Sequence, residues 1–322
     1  MTESNTINKS KIKSKIKSKI YDYIIYHGPS CPDGIGSLYC AKKYLGLQTD
    51  SIQCRAGTDP HGQFSKKRIL FVDLCPSLTF ITSVCKKARL VTILDHHKTA
   101  FDLYHDNLKL LESIENLELH IDMERSGCQI TWDYFYPDLV RPWFIDYIGD
   151  RDLWAWKLTN SQEVNIALYE NNYLDPTDFS KLDNLLLDEE NKKQLLIEEG
   201  KIILKIQKRE LDLAESKSYK AEFKVGDKIY MVWLGGNITM SLRSELGNLL
   251  VNKQFSDSTD PDFAVIWFYE PKLDEWLISL RGGENSPDLS IIAKKYGGGG
   301  HERAAAMTLS NSKKLLDLFT LK

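Results

Sequence analysis

No run approaching ~18 consecutive apolar residues occurs in the 322-residue chain, so no membrane-spanning helix is expected. The N-terminus has no apolar signal core, and secretion is not expected. Cysteine is sparse and confined to the first half: Cys31, Cys40, Cys54, Cys75, Cys85 and Cys128, with no CxxC pair. That usage favours reduced thiols in the cytoplasm over a disulfide framework. Arginine is missing from residues 1–20, which weakens any mitochondrial targeting reading. What those residues do hold is lysine, in KSKIKSKIKSKI, a period-four repeat that would align Ile12, Ile16 and Ile20 on one helix face. A charge run of this kind reads as a solvated, disordered basic tail, with a nucleic-acid-binding arm as the sharper reading. Outside the tail the chain is acidic, against a net charge of −3 for the whole. An acidic body offers no broad footprint for long duplexes and suits a small substrate bound locally.

The length exceeds one ordinary core, so two domains are expected. Tyr21–Tyr26 (YDYIIY) reads as a buried strand, followed by HGPSCPDGIGS and a helix over Ile35–Leu45. ILFV at Ile69–Val72 and LVTIL at Leu90–Leu94 are two more buried strands, with a helix starting near Ser77 between them. Short apolar strands alternating with helices argue for an α/β domain over residues 21–175, a largely parallel three-layer sheet. Ser126 is placed to cap a helix through Tyr136, and Pro142 to open one running into GDRDLWAW. Residues 176–218 are charged and amphipathic and read as a helical connector. Beyond them, strands at Ala221–Val225, Ile229–Trp233, Phe263–Phe268 and Trp276–Leu280, with helices over Met240–Val251 and Ser290–Tyr296, make a smaller α/β domain at 219–322.

Ligands of open α/β sheets bind beyond the carboxyl ends of the strands. Here three predicted strands end in ligand-type residues: His27 and Asp33, then Asp73, then Asp95, His96 and His97. A single acid after a strand is ordinary; three such ends are not. Imidazole with carboxylate suits a first-row divalent ion, manganese above zinc or cobalt. The number of carboxylates suggests two ions sharing a bridging one.

With these motifs the chain resembles the DHH phosphoesterases. His27, Asp33, Gly34, Gly36 and Ser37 match the first motif, Asp73 in FVDLCPS the second, and Asp95-His96-His97 the third. Asp152 in DLW matches the fourth best, with Asp150 competing. The resemblance implies one ion on His27, Asp73 and Asp152 and a second on Asp33, Asp73, His96 and Asp152. It implies that Asp95 orients a histidine ring and that His97 meets the phosphate and assists the departing oxygen. Cys31 departs from the pattern, since most members carry aspartate there. It is a direct ligand, a bystander, or the mark of a weakened first site.

In DLSIIAKKYGGGGHERAAA, four glycines precede His301; a flexible loop is the plain reading, an anion cradle the other. GGGGH followed by small residues resembles the DHHA1-type accessory domain, which implies that Gly298, Gly299, Gly300 and His301 bind the nucleotide or phosphate end of a substrate. The same resemblance brings in Arg281 and, as a helper, Arg303; an arginine fork suits phosphate. The implied activity is hydrolysis of short single-stranded RNA or DNA or of small nucleotide phosphoesters, as by a 3′–5′ oligonucleotide exonuclease, with two Mn²⁺ ions. A pyrophosphate or polyphosphate hydrolase and a nucleotide-binding protein with weakened catalysis are the alternatives. Trp154 and Trp156 are candidates for stacking bases, with core packing as the plainer reading. A homodimer is carried as a partner expectation, though no sequence feature specifies it.

Overall fold

The computed structural model describes residues 20–28, 31–55, 57–236, 238–239, 242–310 and 318–322. The basic stretch expected as a disordered tail lies outside the described residues apart from Ile20. In chain order the first half runs β1 (Tyr23–His27), α1 (Pro32–Leu45), β2 (Asp50–Cys54), β3 (Arg68–Val72), α2 (Leu78–Cys85), β4 (Leu90–Asp95), α3 (Lys98–Asp106), α4 (Leu108–Glu112), β5 (Leu117–Ile121), α5 (Gly127–Phe135) and α6 (Trp143–Asp152). It continues with α7 (Ser161–Glu170), α8 (Ser180–Leu185), α9 (Glu189–Ser216), β6 (Tyr219–Val225), β7 (Lys228–Gly236), α10 (Arg243–Val251), β8 (Phe263–Glu270), β9 (Glu275–Arg281), α11 (Leu289–Lys294), β10 (Gly299–Gly300), β11 (Ala304–Ser310) and β12 (Phe319–Leu321). The chain divides into two compact units. The first holds the described residues up to His96, Asn107–Leu158 and Tyr173–Leu186; the second holds His97–Asp106, Thr159–Asn172 and the chain from Leu187.

The first unit is built on a parallel sheet in the order β2-β1-β3-β4-β5. Its middle strands are buried on both faces, which is why they read as continuous apolar runs: Ile24, Ile25, Ile69, Leu70, Phe71, Val91 and Ile93 are all inaccessible. Strand order reverses at β1. Right-handed crossovers therefore send α1, which leads to β2, and α2, which leads to β4, to opposite faces. The reversal opens a crevice at the carboxyl ends of β1 and β3. His27 closes β1, and Asp73 follows β3 directly.

Helix α1 starts at Pro32, earlier than the hydrophobic pattern indicated, because Cys31 takes the N-cap position and proline suits the first turn. The helix leaves the strand so tightly that a Cβ on Gly34 would fall 2.0 Å from the His27 carbonyl oxygen. Its buried face meets α5 and α6. There Tyr39 lies edge-on to Phe144 and to Phe179, each at 5.4 Å.

In the second unit a mixed sheet runs β10-β11-β9-β8-β7-β6-β12, antiparallel except for the β7–β8 pair. Alternation along β8 feeds two cores: Phe263 and Val265 join Phe223, Val232, Ile278 and Leu289, while Ala264 and Ile266 join Leu246 and Leu250. The stretch expected as a connector is mostly one 28-residue helix, α9, which packs on α7 within this unit. Helices over residues 243–251 and 289–294 are shorter than predicted, and residues 240–241 lie outside the described residues. The glycine run is not a loop throughout: Gly299 and Gly300 pair with Ala306 and Ala305 as the sheet's edge. No helix among the described residues is long and apolar enough to cross a membrane.

Candidate metal centre

At the strand-order reversal the two oxygens of one carboxylate face different partners. Asp73 Oδ2 lies 3.2 Å from His27 Nδ1 and 3.4 Å from Cys31 Sγ. Its Oδ1 lies 3.1 Å from His96 Nε2. The same His96 nitrogen is 3.4 Å from Asp33 Oδ2 and 3.4 Å from Asp152 Oδ2. Two donor sets result, His27–Cys31–Asp73 and Asp33–His96–Asp152, with donor atoms in each within 4.8 Å of one another. Asp73 reaches both. All six residues belong to the first unit. Asp33, Asp73 and His96 are no more than 1% exposed, whereas Asp152 keeps 24% and His27 20% of their side chains accessible.

Backbone geometry holds these side chains. Asp73 has φ of +54°, in the left-handed region, where aspartate is among the few non-glycine residues tolerated. Asp33 is gripped from a distant part of the chain: its Oδ2 accepts the Gly127 amide at 2.6 Å and its Oδ1 the Cys128 amide at 2.9 Å. Those are the first amides of α5, whose dipole favours the charge. A Cβ on Gly127 would sit 2.6 Å from Asp73 Cβ and 2.9 Å from Asp33 Oδ2. Reasoning on side chains alone passed over Gly127 and Cys128. The available signal was Ser126 as the cap of α5, which marks where a helix offers open amides.

So many carboxylates in so little water cannot all ionise at ease. Burial pushes the Asp33 carboxyl up to about 7, and the charges of Asp73 and Asp152 add to it. Burial works to lower His96, but Asp152, Asp73 and Asp33 outweigh it and hold the imidazole up at about 10. His27 likewise stands well above its ordinary value: burial opposes the shift, and Cys31 and Asp73 override it. The donor set therefore fits a divalent cation, which would replace the protons. The separations of 3.1–3.4 Å suit either proton-sharing pairs or ligands of a single ion, which lie roughly 3–3.5 Å apart at first-row bond lengths. Buried aspartate and histidine groups that can hold a metal ion are thus present.

A pH test follows. An unfolded aspartate ionises near 3.8, so between there and about 7 folding binds a proton at Asp33 and stability falls as pH rises. His96, at 6.5 unfolded and about 10 folded, contributes stability that is complete below 6.5 and lost toward 10. Both slopes have the same sign. With a chelator present, the centre's contribution should decline steadily from mildly acidic to alkaline pH, by on the order of a few kcal/mol. Because metal ligands must be deprotonated, stabilisation by added divalent ion should grow over the same range. Thermal unfolding with chelator and with saturating ion should give curves that separate as pH rises; parallel curves would contradict the assignment of these residues as metal donors.

The two candidates of the fourth motif have different partners. Asp152, the last residue of α6, reaches His96. Asp150 turns away and accepts the backbone amides of Lys157 at 2.8 Å and Leu158 at 3.2 Å. Its carbonyl accepts Ala155 at 2.9 Å. Asp150 thus clamps the DLWAW turn, in which Trp154 and Trp156 both take left-handed φ, +53° and +50°. Bulky residues enter that region at a cost of roughly 1–3 kcal/mol each. The indoles meet edge-on at 5.0 Å, and Trp154 is 37% exposed, so it is not a core residue. Asp95 closes β4, and its Oδ1 accepts the His96 backbone amide at 2.8 Å.

In the second unit, the ring of His97 stacks on that of His301 at 4.9 Å and 19°. His301 sits in the β10–β11 turn, its amide donating to the Ala304 carbonyl at 2.7 Å. Gly298 donates its amide to Ala293 at the end of α11. Arg281 closes β9 and donates to Ser244 Oγ at 2.7 Å and to its neighbour's carbonyl at 2.8 Å. Arg303 donates through one nitrogen to the Gly283 carbonyl and to the Ser286 carbonyl at 3.0 Å, tying the loop after β9 to this turn.

No family model matches the chain. The uncharacterized protein R106 of Acanthamoeba polyphaga mimivirus is 29% identical over 308 residues, 91% of this chain and 68% of that protein. Among solved structures, the chain is similar to a pGpG-specific phosphodiesterase from Vibrio cholerae, at 12% identity and TM-score 0.40 over 93% of this chain and 96% of that one. It is similar also to an exopolyphosphatase-related protein from Bacteroides fragilis, at 12% identity and TM-score 0.40 over 98% and 96%.

Proposed function

We propose that the protein is a metal-dependent phosphodiesterase that hydrolyses short oligonucleotides or small nucleotide phosphoesters. The observation that carries this reading is Asp73, one carboxylate with an oxygen toward each of two donor sets. His27 and Asp73 would hold one divalent ion, and Asp33, Asp73, His96 and Asp152 another. Such ions, manganese being well matched to the carboxylate-rich set, lower the pKa of a bound water and neutralise charge on phosphoryl oxygens.

The chain's own residues do the rest. The α5 amides fix Asp33 so that it does not turn away when the centre fills. His97, held flat against His301, would donate a proton to the departing oxygen. Arg281, Gly298, Gly299, Gly300 and His301 would bind the phosphate or nucleotide end, with Arg303 shaping the turn that presents them. The exposed Trp154 would stack a base, and this supports a nucleotide over a bare polyphosphate as substrate.

The test is one panel at saturating Mn²⁺: a dinucleotide, its analogue lacking one base, a five-residue RNA, 3′-phosphoadenosine phosphate, pyrophosphate and polyphosphate. The nucleotide substrates should turn over. Trp154→Ala should raise KM for the dinucleotide about tenfold, a stacking contribution of ~1–3 kcal/mol, with little change for the base-lacking analogue. Turnover confined to pyrophosphate or polyphosphate would overturn the substrate class. Nucleotide binding without turnover by any ion would replace the enzyme with a binding protein.

A further inference from the structure

Sulfur is uncommon among hard, carboxylate-rich ligands, yet Cys31 places its Sγ inside the first donor set. Three observations bear on its role. Its separation from Asp73 Oδ2 is 3.4 Å, and that oxygen is 3.2 Å from His27 Nδ1. Ligands of one tetrahedral zinc ion, at ordinary zinc–nitrogen, zinc–oxygen and zinc–sulfur bond lengths, lie about 3.3–3.6 Å apart. Two of the three separations therefore already stand close to the spacing such an ion imposes, and the third is within 4.8 Å. Next, Cys31 is the N-cap of the 14-residue helix α1, and its Sγ accepts the Gly34 amide at 3.4 Å. That amide holds the sulfur in place at the helix start. Third, the second donor set contains oxygen and nitrogen alone, so the two sets differ in softness.

We propose that His27, Cys31 and Asp73 form a mixed nitrogen, sulfur and oxygen site for a thiophilic divalent ion, zinc, with the Cys31 sulfur as a direct ligand. The inference rests on the metal-dependent reading above and sharpens it, making the centre heterobimetallic by preference. Zinc goes to the thiolate side, and a harder ion such as manganese goes to the Asp33–His96–Asp152 side. Three protein ligands leave one tetrahedral position open, the arrangement of catalytic rather than closed structural zinc sites. On loading, the thiol proton leaves to solvent as the sulfur–metal bond forms.

Cobalt(II) titration of the metal-free full chain tests this by absorption, without reference to activity. A sulfur ligand gives a near-ultraviolet thiolate-to-cobalt charge-transfer band, which the sulfur-free second set does not. The wild-type protein should show the band. Cys31→Ser should bind cobalt without it, and serine keeps the N-cap, so α1 is preserved. Cys75→Ser should retain the band. The preference for zinc over manganese at the first site, read by competitive binding and elemental analysis, should fall at least about tenfold in Cys31→Ser. Cobalt bound to the wild-type protein with no band, or a band that survives in Cys31→Ser, overturns the sulfur ligand and leaves the metal-dependent reading standing. Failure of the folded wild-type protein to bind cobalt overturns both.

Discussion

Asp73→Asn is expected to empty both donor sets at once. Asparagine has nearly the shape of aspartate and tolerates the left-handed φ of +54°, so the fold should survive. What it loses is charge and one acceptor. An amide nitrogen in place of Oδ1 or Oδ2 would point a donor at His96, or at His27 and Cys31. On the proposed reading, bound divalent ion falls toward zero per chain, and kcat falls by about 10³-fold or more. That corresponds to several kcal/mol of lost charge stabilisation at 1.36 kcal/mol per tenfold. His27→Ala is the contrast. It removes a ligand from one set only and should leave the Asp33–His96–Asp152 ion in place. Elemental analysis of the two variants against wild type decides the matter. If Asp73→Asn retains as much metal as His27→Ala, Asp73 does not serve both sets.

Why Asp73 could be singled out from sequence, and its support could not, follows from the kind of chemistry each uses. The buried strands β1, β3 and β4 are apolar without interruption, so their ends, and the polar side chains at those ends, stand out. His27, Asp33, Asp73, His96 and Asp152 do gather in one place. The edge strands β2 and β5 do not stand out. DSIQC and LELHI interleave charge with apolar residues because each is half exposed. Strand β11 begins with three alanines, whose strand preference is low, and it is held between β9 and β10. The role of Asp150 was invisible for another reason. It acts on backbone amides seven and eight residues along the chain, in a turn whose left-handed tryptophans no propensity would suggest. Cys31 was visible as an oddity, but its N-cap position and its distance to Asp73 needed coordinates.

Gly127→Ala should be a strongly disruptive single-methyl change at the centre, and it tests the part of the site that side-chain reasoning omits. The new Cβ would meet the Cβ of Asp73 at 2.6 Å and its Cα at 2.9 Å, atoms that cannot rotate away. Either α5 retreats or the Asp73 backbone shifts. Retreat stretches the amide bonds to Asp33, now 2.6 and 2.9 Å; a shift moves the carboxylate that both donor sets share. Overpacking of this kind costs about 1–3 kcal/mol, sometimes more, a large part of an ordinary folding margin of ~5–15 kcal/mol. A fall in Tm on the order of 5–10 °C is expected for the metal-free chain, and weaker binding of divalent ion beyond it. Gly283→Ala is the internal control, because its Cβ would touch only Val251 Cγ2 at an ordinary 3.6 Å. It should leave both Tm and metal binding unchanged. The decisive comparison is metal affinity measured well below Tm, where both variants are folded. If Gly127→Ala then binds as tightly as Gly283→Ala, the grip of α5 on Asp33 serves stability alone; a selective loss of affinity makes those two amides part of the metal centre.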